Sequence, residues 1–165
     1  MTSGTDIVAT ARLDGDRPLL RLRRGYPAGA GWLWRAVSDS EEISTWWAPM
    51  RLRLEPRRGG KVTFLAPGEP PAFGEVLEFD DGRTIAFTWD ADIVRWQVEP
   101  DGDAAVLTLE TTVEKPEYLA HCAAGWHTGL RQLCDHLAGQ PVRTPEQSLD
   151  PAVVEHYRQI LRTPA

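Results

Sequence analysis

The side chains able to do acid-base, nucleophilic or metal chemistry are few in this sequence. Four histidines are present. His121, His127 and His136 fall in one predicted helix and His156 lies near the end, without an HxH or HExxH pair, so no metal site is expected. Cys122 and Cys134 are twelve residues apart in the same helix, about 18 Å along its axis, which is too far for a disulfide. No GxSxG elbow is present, and Gly59-Gly60 does not open a helix, so neither a serine hydrolase nor a phosphate cradle is indicated. What remains is a pair of carboxylates and one histidine. Glu75 and Glu78 are an odd number of positions apart on one predicted strand, so one of them should face the inner side of its sheet. An unpaired carboxylate there is costly. It would anchor a ligand or pair with Arg35 or Arg95. His127, about 80° from the apolar line of its helix and next to Trp126, is the histidine nearest a cavity rim, although a solvated or capping role is the simpler reading. Together Glu75 or Glu78 and His127 could serve as the acid and base of a cyclase or dehydratase.

A second group of residues points to binding. The chain has seven tryptophans, and Trp46, Trp47, Trp89, Trp96 and Trp126 fall on predicted apolar faces or beside them. Any one of these is most simply core. As a set, with Phe64, Phe87, Leu107 and Leu109, they predict an aromatic cavity wall able to stack on a flat or apolar molecule.

These residues must be positioned by a sheet and a helix. PLLRLRR from Pro18 to Arg24 alternates Leu20 and Leu22 with Arg21 and Arg23, the period of a half-buried strand. After YPAGAG, two short helices are predicted, the second over about Asp39 to Trp46, stopped by Pro49. Six strand-like runs follow at roughly ten-residue spacing: Met50 to Leu54, Lys61 to Ala66, Phe73 to Phe79, Thr84 to Trp89, Ile93 to Glu99 and Ala105 to Val113. Asp81-Gly82 and Asp101-Gly102 give hairpin signals. Then Leu119, Cys122, Trp126, Leu130, Leu133 and Leu137 recur at helical spacing over 117–138, within roughly 60° of one line, with His121, Thr128 and Asp135 opposite. Gly139 and Pro141 end this helix. Another amphipathic stretch covers about Asp150 to Leu161.

Strand runs without crossover helices exclude a doubly wound parallel sheet and make the class α+β. The expected order is β-α-α-β6-α: an antiparallel sheet of about seven strands curled around the long C-terminal helix, with a short tail helix. Residues 1–16 are expected to be an N-terminal tail, 17–140 the domain, and 141–165 a linker and tail helix packed on it. With 18 basic and 24 acidic residues, the formal charge of -6 argues against nucleic acid. No apolar run is long enough for a membrane span, and the start lacks a secretory signal, so no membrane insertion and a cytoplasmic location are expected. No cofactor is implied. A homodimer through a sheet edge or the tail helix is an open alternative.

The segment YPAGAGWLWRAVSDSEEISTWWAP, with Trp32 or Trp34, Trp46-Trp47 and Pro49, is similar to the first strand-to-helix region of the START-like (SRPBCC) superfamily. Within it, the similarity is to the group named for the activator of the ninety-kilodalton heat-shock protein ATPase. GGKVTF, GEVLEFDDGRTIAFTWD and AAGWHTGLRQLCDHLAG resemble, in order, that group's glycine pair, its hairpin ending in Thr-Trp and its C-terminal helix. The resemblance spans about Leu19 to Gly139 and implies the helix-grip fold. Its members include lipid carriers, hormone receptors and polyketide cyclases, so it does not by itself imply one function. The predicted aromatic cavity and the absence of a complete catalytic constellation imply binding of a small hydrophobic molecule whose identity the sequence does not name. A chaperone-cofactor role is implied by the group's name alone.

Overall fold

A computed structural model of the chain describes residues 7–142 and 150–161. Its elements are β1 (Val8–Asp14), β2 (Arg17–Tyr26), α1 (Ala30–Ser38), α2 (Ser40–Trp46), β3 (Arg51–Leu54), β4 (Lys61–Leu65), β5 (Ala72–Asp80), β6 (Thr84–Trp89), β7 (Asp92–Asp101), β8 (Ala104–Thr112), α3 (Leu119–Leu137) and α4 (Pro151–Ile160). The strands form one antiparallel sheet ordered β1-β2-β8-β7-β6-β5-β4-β3. The fold is the α+β helix grip that the strand and helix order predicts. The sheet has one strand more than expected. Residues 8–14, placed in a tail by the sequence reading, pair with β2 from Val8↔Arg23 to Asp14↔Arg17. Expected linker residues 143–149 lie outside the described residues.

The alternation in each strand decides which side faces α3. Leu20 and Leu22 on β2, Ile85 and Phe87 on β6, Val94, Trp96 and Val98 on β7, and Leu107 and Leu109 on β8 are all buried. The arginines between them on β2 stay exposed. α3 meets this surface with Ala123, Ala124, Trp126, Leu130 and Leu133, and Tyr26 ties the two together by donating its hydroxyl to the Leu130 carbonyl at 3.0 Å. α3 starts two residues later than predicted, because Pro116–Tyr118 form a 3-10 turn ahead of it. Burial extends around more of α3 than the single predicted stripe: Ala120, Gly129 and Gln132 are buried too. The additional cover comes from α2 on one side and α4 on another.

The two short helices are separated by one residue, Asp39, whose carboxylate accepts the amides of Glu41 and Glu42 and caps α2. α2 in turn shields the free edge of β3. Ser40 and Ser44 hydroxyls each accept from and donate to the β3 backbone, at Leu54 and Leu52, so the edge offers fewer open groups for pairing with another chain. α4 begins at the Asp150 cap and buries Val154, Tyr157 and Leu161, while Ile160 stays exposed.

Candidate functional site

Tryptophans and phenylalanines from five elements meet on the inner side of the sheet. α2 contributes Trp46 and, just past its end, Trp47; β4 brings Phe64, β6 Phe87 and Trp89, β7 Trp96 and α3 Trp126. Trp46 is fully buried and donates its indole N–H to the Ala36 carbonyl at 2.7 Å, one of the orphan acceptors at the end of α1. Trp47 stacks on Trp46 with centroids 5.9 Å apart and meets Trp89 edge-on at 5.3 Å. Trp126 touches Trp47 at 5.2 Å and stands edge-on to Trp96 at 5.4 Å. Phe64 stacks on Trp89 at 5.1 Å and tilts against Phe87 at 6.0 Å. The rings expected to stand around a cavity therefore pack on one another. Leu107 and Leu109 are buried beside them on β8. The Trp96 indole nitrogen is buried with no hydrogen-bond partner.

Open space lies at the edge of this cluster. A cleft of about 290 Å³ runs between α3 and the loops after α2 and β4. One wall is the stripe Gly125, Thr128, Gly129 and Gln132, spaced as one face of a helix. The other walls are the segment 47–50 after α2 and Ala66-Pro67 after β4. Of the nine expected wall residues, Trp47 is the one that lines this cleft. Gly125 opens the wall: a Cβ there would meet no heavy atom within 4 Å. Gln132 is buried and donates its side-chain amide to the Ala48 carbonyl at 3.0 Å, holding the loop to the helix. The Thr128 hydroxyl donates to the Ala124 carbonyl at 3.2 Å. No ionisable side chain lines the cleft. Two other surface clefts differ in this respect, one carrying Glu41, Arg51 and Arg53 and the other Arg35, Asp39 and Asp81.

The expected polar groups are elsewhere. Glu75 and Glu78 are both exposed. The register of β5 against β6 slips between Val76 and Glu78, so Leu77 is an extra residue in the strand and shifts Glu78 onto the same outer side as Glu75. There Glu78 pairs with Arg95 at 3.0 Å, and Arg95 also reaches Glu110 at 3.4 Å. This is the Arg95 partnership allowed by the sequence, on the outer face. His127 points to α4: its Nδ1 lies 2.7 Å from the Tyr157 hydroxyl. Burial, with Arg131, Arg24 and His156 nearby, lowers its pKa from the ordinary 6.5. Burial likewise pushes the Tyr157 phenol up to about 12, so at neutral pH the pair is an un-ionised phenol hydrogen-bonded to a neutral imidazole. Both cysteines are free thiols, and burial holds Cys122 up at about 11. Among the described residues no three His, Cys, Asp or Glu side chains come together to hold a metal, and no helix is long and apolar enough to cross a membrane.

Sequence reasoning missed the cleft residues on α3. Thr128 was expected opposite the apolar line, yet it is half-buried. The available signal was the run of small residues at Gly125 and Gly129, which keeps side chains off one face of an otherwise well-covered helix.

Solved structures share this architecture. The conserved protein of unknown function EF2215 from Enterococcus faecalis superposes with a TM-score of 0.74 at 19% identity, covering 92% of this chain and 88% of that one. CalU16 from Micromonospora echinospora gives 0.73 at 21% identity for its solution structure, with 96% and 94% covered. Its crystal structure gives 0.68 at 22%, with 93% of each chain covered. These identities speak to fold alone. No protein of curated function matches in sequence. The family described as Activator of Hsp90 ATPase homolog 1-like protein matches residues 27–138, well over half of the chain, and the protein belongs to that family.

Proposed function

We propose that the protein binds a small, largely apolar molecule in the cleft over Trp47. The observation that carries this reading is an uncharged recess, about 290 Å³ in volume, whose wall residue Trp47 packs on the rings of Trp46, Trp89 and Trp126. Such a recess buries apolar ligand surface against side chains that are already ordered, so little further entropy is lost on binding. The packed cluster acts as a rigid backing, and the ligand sits on its rim. The two free thiols fit a reducing, cytoplasmic setting.

Acid-base catalysis by Glu75, Glu78 and His127 has no support in this arrangement, because the carboxylates lie on the outer face of the sheet and the imidazole faces α4. The family description favours one other reading, stimulation of a chaperone ATPase, which an ATPase assay with added protein tests directly.

Trp47 reports occupancy. Titrating the protein with a panel of neutral bicyclic and tricyclic compounds should quench or shift tryptophan emission saturably, and Gly125→Leu should abolish the effect. Saturable binding that survives Gly125→Leu in a folded protein would place the ligand elsewhere, and a panel without any saturable response would remove the proposal.

A further inference from the structure

The chemistry of the cleft wall restricts its occupant further. We propose that the ligand is uncharged and presents a hydrogen-bond donor to Thr128, an inference that rests on the cleft being the binding site. No Asp, Glu, Lys, Arg or His side chain lines the cleft. An ionised group held against this wall would give up part of its hydration without gaining a counter-ion, which disfavours it relative to a neutral group of the same shape. The stripe at 125, 128, 129 and 132 belongs to the middle and later turns of α3, a 19-residue helix. Gly125 is six positions from its first residue, and Gln132 is five from its last. The partial charges of the helix ends fall off within the terminal turns and so do not substitute for an ion.

Two polar side chains remain on the wall, and their hydrogen bonds set the sense of recognition. Gln132 is buried and donates one of its two amide protons to the Ala48 carbonyl, whereas Thr128 is only half-buried and so more open to a ligand. Thr128 has committed its single proton to the Ala124 carbonyl, which leaves the hydroxyl oxygen as an acceptor. A phenol, alcohol or amide N–H satisfies it. An ether or ketone of the same shape does not. The chemical class is therefore a compact neutral aromatic carrying one donor at its polar edge.

Isothermal titration calorimetry with three probes of one ring system separates these requirements: 2-naphthol (neutral, donor), 2-methoxynaphthalene (neutral, no donor) and 2-naphthoate (anion), each against the wild-type protein, Thr128→Val and Thr128→Ser. For one hydrogen bond of ordinary net strength, 2-naphthol should bind on the order of 2- to 12-fold more tightly than the methyl ether, and 2-naphthoate at least about tenfold more weakly than 2-naphthol. Thr128→Val should bring 2-naphthol down to the level of the ether and leave the ether unchanged, while Thr128→Ser restores the difference. Naphthoate binding as tightly as naphthol overturns the neutrality requirement. Equal losses for both neutral probes in Thr128→Val overturn the donor requirement. Absence of binding by all three would remove the cleft as a site, and the inference with it.

Discussion

Gly125 gives the sharpest test, because replacing it should strengthen the fold and close the site at once. The residue lies within α3, where glycine costs about 0.8–1.0 kcal/mol relative to alanine in helix propensity. Glycine is sometimes required by close approach, but here an added Cβ would find no heavy atom within 4 Å. Gly125→Ala should therefore stabilise the protein by about 1 kcal/mol, raising Tm by roughly 2–4 °C for a domain of this size. Leucine has nearly the same propensity, so Gly125→Leu should keep most of that gain while its isobutyl group occupies the cleft. Differential scanning calorimetry reads the first effect and ligand titration the second. The expected pair of results is a raised Tm with affinity reduced tenfold or more. A lowered Tm in Gly125→Ala would show that the backbone here is under a constraint the geometry does not reveal. A raised Tm with unchanged affinity in Gly125→Leu would refute the cleft as the binding site.

Three further outcomes follow from the packing. Gly74→Ala should lose at least about 1–3 kcal/mol in urea denaturation, because its Cβ would sit 2.0 Å from the Thr88 carbonyl oxygen, a backbone atom that cannot swing away; near-wild-type stability would contradict this. Trp46→Phe should cost about 1–3 kcal/mol more than Trp96→Phe, since only Trp46 donates to a carbonyl while the Trp96 indole N–H is already unpaired; equal losses would show that the Ala36 bond adds nothing. His127 has a folded-state pKa below 6.5 through burial and the neighbouring Arg131, Arg24 and His156, so the unfolded chain takes up the proton first as pH falls. Its contribution is present above pH 6.5 and declines as pH drops from there toward the lowered folded-state pKa. His127→Gln should flatten the dependence of unfolding free energy on pH below about 6.5, and an unchanged slope would argue against the assignment.

The sheet and long helix were legible because each rests on periodicity sustained over several residues. Leu20 and Leu22 on β2, Ile85 and Phe87 on β6, and Leu107 and Leu109 on β8 alternate cleanly and are buried as expected. β1 escaped detection because it is an edge strand whose inner positions include Ala9 and Ala11, only partly buried; small residues at an edge leave little hydrophobic contrast to read. The fate of Glu78 was hidden for another reason. Strand parity holds only while every residue takes its turn in the pleat, and the extra residue at Leu77 reverses parity from that point on without a glycine or proline to announce it. The wide burial of α3 was likewise invisible in a helical wheel, because Ala120, Ala123 and Ala124 are buried by what packs on them and carry only a weak hydrophobic signal of their own.

The same limit explains why the aromatic residues were identified and their arrangement was not. Periodicity places Trp46, Trp89, Trp96 and Trp126 on inward faces, but whether such rings enclose space or fill it depends on ring orientation. In this fold Trp96 meets both Trp46 and Trp126 edge-on, so these rings pack on one another. The cleft lies farther out, where side chains are small: Gly125 and Gly129 on the helix, Ala66 and Pro67 on the facing loop. A binding surface made by leaving side chains out has no chemical signature in sequence beyond the glycines themselves. On the proposed reading its selectivity falls to the few polar atoms at its edge, and the Thr128 hydroxyl, turned back onto its own helix, would favour neutral molecules that bring a donor.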